Sequence, residues 1–213
     1  WAGWLFLNGY ENGRMVASAP TFSQLHDVLW PEFAKWHGKM TERMQDEWSV
    51  SGKHIRHKGA PMDWFGVART SNKAANLQGF HNSNLMILID EASGVPQDVF
   101  EVIEGALSEA SDDGEKVAKL LLNGNPNFTA GALYNAFNRN REMYYRITIT
   151  GDPDFPPSIG HDGNGGDSKE HGHLYYSKRV KPRYVKNMID KYGLDSAVFD
   201  VRVFHAHDFG RLG

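Results

Sequence analysis

Apolar residues along this chain gather into short runs that alternate with amphipathic stretches. Residues 14–20, RMVASAP, follow Gly13 and close on Pro20, which is the pattern of a buried strand. Thr21 and Gln24 then stand at capping-box spacing, where the threonine hydroxyl accepts from the backbone near Gln24 and the glutamine side chain reaches back. Leu25, Val28, Leu29, Phe33 and Trp36 follow at helical spacing, so a helix with one apolar face is expected, kinked near Pro31. MDWFGVARTS (62–71) predicts a second strand, and LMILID (85–90), apolar on both faces, predicts a central parallel strand covered by helices.

A helix is expected next, with Pro96 in its first turn, Asp98 near its N-terminus, and Val99, Val102, Ile103, Ala106 and Leu107 on one face. VAKLLLNGNPN (117–127) repeats the apolar run closed by Gly and Pro, TAGALYNAFNR (129–139) predicts a short helix, and YYRITIT (144–150) another strand. Residues 151–173 are dense in Gly, Pro, Asp and His without periodicity, so a flexible loop or insertion is expected there. Beyond it RYVKNMIDKYG predicts a helix stopped by Gly193, and AVFDVRVF (197–204) alternates like a strand. Strands alternating with helices point to an α/β sandwich with a mainly parallel sheet.

Composition narrows the class without changing this picture. At 213 residues, 40% hydrophobic and 23% charged, the chain is an ordinary globular one, and its length favours one domain with insertions. A formal net charge of -3 supplies no global basic field, so any nucleic-acid contact must be local or transient. The absence of cysteine removes disulfide and thiolate chemistry and fits a reducing compartment. No apolar run approaches the roughly 18 residues of a membrane span, and WAGWLFLNG has neither the basic region nor the cleavage site of a signal peptide. It opens on Trp1 rather than Met, which suggests a chain cut from something longer.

The chemistry concentrates where apolar runs end. In parallel α/β sheets ligands bind beyond the carboxyl ends of the strands, and Asp90 and Glu91 follow LMILI directly. In one reading Asp90 holds Mg²⁺, through a water, while Glu91 orients or deprotonates the water that attacks a γ-phosphate. In the other, both acids cap the following helix together with Ser93. Asn125, in NGNP (123–126), closes the next apolar run on the same sheet edge and could touch a γ-phosphate, so that hydrolysis is passed to a neighbouring element. A plain Asn/Gly/Pro turn is its alternative.

Four segments carry a family resemblance. VASAPTFSQLHDVLWPEF, LQGFHNSNLMILIDEASGVPQDVFEVIEGAL, LLLNGNPN and KYGLDSAVFDVRV occur in the order and approximate spacing of the large terminase subunit of tailed bacteriophages. That subunit is the ATP-driven motor that packs DNA into the procapsid. The resemblance implies a P-loop NTPase-like three-layer sandwich over residues 1–204, with ATP and Mg²⁺ as cofactors, Asp90 and Glu91 as the Walker B pair, and Gly124 and Asn125 as the coupling motif. It also implies double-stranded DNA, a portal protein and a small terminase subunit as partners, a homo-oligomeric ring without membrane attachment, and a place in the cytoplasm of a bacterial host. Arg69, after an apolar strand, could then reach a phosphate on a neighbouring subunit as an arginine finger.

Three departures qualify the resemblance. No G-x-x-x-x-G-K-[ST] occurs, so the phosphate-binding loop is expected ahead of Trp1, with WAGWLFL the remains of the helix that follows it. The family's C-terminal nuclease domain is expected to be missing from these residues, and VFHAHDFGRLG leaves 205–213 as an unassigned tail. A fragment lacking the loop is expected to be inactive alone. Two alternatives stand beside the motor: a DExx-type helicase or other ATPase of the same fold, since Asp-Glu-Ala-Ser resembles their acid motif, and a non-catalytic DNA-binding or assembly module with an ATPase-like fold.

Weaker signals remain. YYSKRVKPRYVK (175–186) mixes tyrosines with Lys178, Arg179, Lys181, Arg183 and Lys186, which suits a DNA-tracking surface or equally a solvated helix end. His205, His207 and Asp208, with His161, His171 and His173, lack a firm third ligand on a rigid element, so solvated histidines are the better reading. Trp30, Trp36, Trp48 and Trp64 fit core packing better than base stacking.

Overall fold

This computed structural model describes residues 1–108, 116–150, 172–176, 180–194 and 196–199. The chain divides into two compact units, Trp1–Gly124 and Asn125–Gly213.

The first unit is built on a six-stranded sheet of order β2-β3-β4-β1-β5-β6. β1 (Arg14–Ala19) lies at its centre, parallel to β4 (Phe65–Thr70) on one side and β5 (Asn84–Ile89) on the other, and β6 (Val117–Leu122) runs parallel to β5. β2 (Trp48–Ser51) and β3 (His54–His57) form an antiparallel hairpin on the outer side of β4. Pattern alone missed this hairpin, because only Trp48 and Ile55 turn fully inward and the remaining positions are polar or half-exposed. The expected mainly parallel α/β sheet is the one observed, with an antiparallel border.

Helices cover both faces. Met15, Ala17, Ala19, Ala68, Ile55, Met86 and Leu88 form one core with Trp4, Phe6 and Leu7 of α1 (Ala2–Gly9), with Leu25, and with Trp30 and Phe33 of α2 (Trp30–His37). The alternate residues Val16, Val67, Leu85, Ile87 and Ile89 are also buried. Beyond β5, α4 (Gln97–Ser108) buries Val99, Phe100, Ile103 and Ala106 and lies against β6 and the turn Ala74–Leu77. Before these, α3 (Glu42–Glu47) leads into the hairpin.

The strands are small where the helices are large. Ala17, Ala19, Gly66 and Ala68 leave room for Trp4, Trp48 and Phe33, and a Cβ on Gly66 would meet Met15 Cε at 2.7 Å. Four indole N–H groups find acceptors: Trp4 on Phe33 O (3.1 Å), Trp30 on Ser51 O (3.1 Å), Trp48 on Asn8 Oδ1 (3.1 Å) and Trp64 on Leu7 O (2.7 Å). Each ring thus buries apolar area without orphaning its donor, and these tryptophans are core residues rather than base-stacking ones.

The capping box forms as expected: Gln24 N–H donates to Thr21 Oγ1 at 3.2 Å, and that hydroxyl donates to Gln24 Oε1 at 2.8 Å. The expected kink takes the form of a widened turn over Gln24–Leu29, where Trp30 N–H reaches back to Leu25 O. Pro31 follows directly; it has no N–H and crowds the preceding turn, which a wider helical register relieves.

In the second unit α5 (Ala132–Phe137) is followed by β7 (Arg146–Thr150), parallel to β8 (Gly172–Tyr176), and by α6 (Pro182–Tyr192), which stops at Gly193 with φ 84°. One expectation fails here. Ala197–Phe199 is a short helix, α7, rather than the start of a strand. Ser196 Oγ accepts the Phe199 N–H at 3.1 Å, a helix-capping bond, and the turn brings Phe199 into a cluster with Met188, Val185 and Ile189 of α6. Residues 200–204 of that expected strand, and the whole of 151–171, lie outside the described residues.

Gly3 sets how closely α1 approaches the sheet: a Cβ there would collide with Met15 Sδ and stand 2.7 Å from Phe33 Cε1. Gly3→Ala is expected to lower stability in urea by about 1–3 kcal/mol through overpacking. Gly9→Ala, with nothing within 4 Å of the added carbon, should be neutral or stabilising.

Candidate functional site

The ends of β5 and β6 build the site. Their parallel register pairs Ile89 with Leu122, so the next residues, Asp90 and Asn123, emerge side by side. Asn123 N–H donates to Ile89 O at 2.9 Å, extending the ladder by one step, and Asn123 O accepts from Ala92 N–H at 2.8 Å. The Asn123 side-chain amide donates to Asp90 Oδ1 at 2.6 Å. On the other side, Asp90 N–H donates to Ser18 O of β1 at 2.8 Å. Asp90 and Ala92 are therefore both pinned, and the chain between them must bend sharply.

Glu91 makes that bend. Its φ of 51° and ψ of 43° are left-handed, a conformation that costs a residue with a Cβ about 1–3 kcal/mol and persists only where the surroundings over-determine it. Burial holds the half-buried Glu91 carboxyl above the usual glutamate range, and the neighbouring Asp90 charge adds to this. Two fully buried hydroxyls, Ser18 Oγ and Ser71 Oγ, have no hydrogen-bond partner close to this edge. Ser18 pairs with Ile89 across the ladder, and Ser71 N–H donates to Ala19 O at 2.9 Å.

Helix capping does not account for the acids. The turn that Glu91 precedes, Ala92–Gly94, carries no side-chain cap bond, and α4 starts only at Gln97, with Asp98 as the acid in its first turn. The donor set suits a hard cation in part: Asn123 occupies Asp90 Oδ1 and leaves the second carboxylate oxygen for a metal or its water. Among the described residues no group of three or more His, Cys, Asp or Glu gathers into a cage. Mg²⁺ usually takes one or two carboxylates plus phosphate oxygens, so the pair fits that ion with a phosphate ligand and not without one.

The other sequence-predicted residues are distributed differently. Arg69 lies on β4, paired with Ser18 and so two strands from Asp90; its guanidinium donates to Ala68 O at 2.9 Å and stands 5.8 Å from the Phe80 ring. Gly124 ends the first unit, and Asn125 opens the second, where its carbonyl accepts from Asn127 N–H at 2.8 Å. Lys181, Arg183 and Lys186 stand exposed at the N-cap and along the first turns of α6. Lys178, Arg179, His161, His171, His205, His207 and Asp208 lie outside the described residues, and His173 belongs to β8. Sequence reasoning missed Asn123. The signal was present, since Asn123 follows LLL as Asp90 follows ILI, and two parallel strands ending together place such residues next to each other.

No family model matches this sequence, and no curated protein is similar to it. Solved structures do resemble it. The large terminase ATPase domain of Thermus phage P74-26 aligns over 93% of this chain and 78% of its own, with a TM-score of 0.57 and 16% identity. An arginine-to-alanine mutant of that domain covers the same shares at a TM-score of 0.52 and 14% identity. The chain has the fold of phage large terminase ATPase domains, with its acid pair at the carboxyl edge of the parallel strands.

Proposed function

We propose that this chain is the ATP-hydrolysing part of a DNA-packaging motor, a terminase large subunit, and that Asp90 and Glu91 are its metal-binding and water-activating acids. The observation that carries the reading is the left-handed Glu91, clamped between Asp90 and Ala92 at the end of a central parallel strand. A carboxylate with raised proton affinity is a stronger base than a solvated one, and it can take the proton of a water attacking a γ-phosphate. Asp90, oriented by the Asn123 amide, presents its free oxygen to Mg²⁺. The metal would neutralise charge on the phosphate oxygens. Asn123 thereby ties the acid pair to β6, and Gly124 and Asn125 continue from β6 into the second unit, a covalent route by which hydrolysis could be coupled to movement.

In this reading Arg69 serves a phosphate on a neighbouring subunit of a ring, and Lys178, Arg179, Lys181, Arg183 and Lys186 contact double-stranded DNA. The portal protein and the small terminase subunit are the assembly partners, in the cytoplasm of a bacterial host. Among the described residues no helix is long and apolar enough to cross a membrane.

In the full-length protein, Glu91→Gln is expected to lower ATP turnover about a hundred-fold or more while leaving ATP affinity within about two-fold. Unchanged turnover would sink the assignment. Stability separates this loss from misfolding. Because the folded state raises the Glu91 proton affinity, the group's contribution is complete at low pH and lost as pH rises through its folded value. Thermal melting should therefore show the Gln variant more stable than the parent at neutral pH, with the gap closing toward the ordinary glutamate value of 4.5. Residues 1–213 contain no Gly-Lys-Ser/Thr phosphate loop, so by calorimetry they should bind ATP more weakly than about micromolar. Micromolar binding would contradict this account of the phosphate site.

A further inference from the structure

Asn-Gly steps stand at 8–9, 12–13, 123–124 and 164–165. Such a step is chemically distinctive. Glycine has no Cβ to hinder approach to its nitrogen, so that nitrogen can attack the side-chain carbonyl carbon of the asparagine before it. A folded chain permits the attack only where the glycine N–H is not committed to an acceptor and the backbone lies outside a helix or a strand ladder, which would hold it in place.

The steps differ on both counts. Asn8 and Gly9 occupy the last turn of α1, where the helical ladder takes the Gly9 N–H. The Asn8 side chain is held as well, its amide donating to Trp4 O at 2.8 Å and its Oδ1 accepting from Trp48 Nε1 at 3.1 Å. Gly13 N–H donates to Tyr10 O at 3.0 Å. The step at 164–165 lies outside the described residues. Gly124 follows the end of β6 in irregular backbone, and among the described residues its N–H meets no acceptor. Asn123 is exposed, and its amide must leave Asp90 Oδ1 for the attack to occur. That hydrogen bond lies open to water, which can replace it.

We propose that Asn123 and Gly124 form an autocatalytic modification site, which converts Asn123 to aspartate or isoaspartate and so dismantles the support of the acid pair. The Gly124 nitrogen gives its proton to hydroxide and bonds to Asn123 Cγ. The Cγ–Nδ2 bond breaks, the departing nitrogen takes a proton from water and leaves as ammonia, and a cyclic imide remains. Water then adds to either imide carbonyl and breaks its bond to nitrogen. Water enters, ammonia leaves, and nothing is oxidised or reduced. Both products remove the amide donor from Asp90. Aspartate sets a second negative charge there. Isoaspartate routes the main chain through the former side chain and leaves the oxygen that accepts from Ala92 N–H on a free carboxylate. The clamp on the left-handed Glu91 is lost with it. The chemistry needs no nucleotide, and only its effect on ATP turnover rests on the proposed function.

Peptide mass analysis of the 213-residue chain, incubated at mildly alkaline pH where the Gly124 nitrogen loses its proton more readily, tests the proposal. Chromatography separates the aspartyl from the isoaspartyl peptides. In the folded chain the 123–124 step should convert well before 8–9 and 12–13, whereas in urea the three should convert at similar rates, because the difference lies in the fold. Gly124→Ala should abolish conversion of Asn123 over the same interval. Full conversion should lower the melting temperature of the folded chain by about 2–4 °C, the loss of about one net hydrogen bond. In the full-length protein ATP turnover should fall with the converted fraction. If fresh, unconverted protein has no turnover, the proposed function fails, and the mass and melting measurements still decide the modification. The proposal is overturned if folded Asn123 stays unconverted while Asn8 or Asn12 reacts, if the order of conversion is the same in urea, if Gly124→Ala converts like the parent, or if full conversion leaves the melting temperature unchanged.

Discussion

The site depends on two parallel strands ending in register. With Ile89 opposite Leu122, one residue, Asn123, can spend its backbone N–H on Ile89, its carbonyl on Ala92 and its side-chain amide on Asp90. Three hydrogen bonds from one asparagine, with the Ser18 carbonyl holding Asp90 from the opposite strand, leave Glu91 a single way through. Its left-handed backbone is the result. Each such bond contributes only about 1 kcal/mol net, so the strain at Glu91 is offset by the set rather than by any one member.

That register is held in turn by how the sheet is packed. Parallel strands need cover on both faces, and the small residues of β1 and β4 let α1 and its tryptophans approach one face, while Ile87, Ile89 and Val67 are buried on the other. The indole hydrogen bonds matter here because they link α1 to α2, to the hairpin and to the segment before β4 through atoms that would otherwise be stranded. A shift of β5 by one residue would exchange its two packed faces and separate Asp90 from Asn123 in the same step.

Much of this was legible in the chain. β1, β5, β6 and α4 follow from apolar runs and helical spacing, and the Thr21–Gln24 box was readable because capping is local. The hairpin was not, since WSVS at the edge of the sheet and HIRH beside it bury few residues and carry no clean alternation. Ala197–Phe199 misled because alternation over a few residues cannot reveal that a serine cap will turn Phe199 onto α6. At the site, the acids were visible, but Asn125 was favoured over Asn123 because GNP is the more conspicuous text.

By itself the sequence determined the alternation of strand and helix, the central apolar strand and the acids placed at its end, because burial periodicity and side-chain chemistry are written residue by residue. Only the tertiary structure decided which asparagine meets Asp90 and which conformation Glu91 must hold. Those outcomes depend on register between segments tens of residues apart, and register is a property of packed strands that no single stretch of sequence carries.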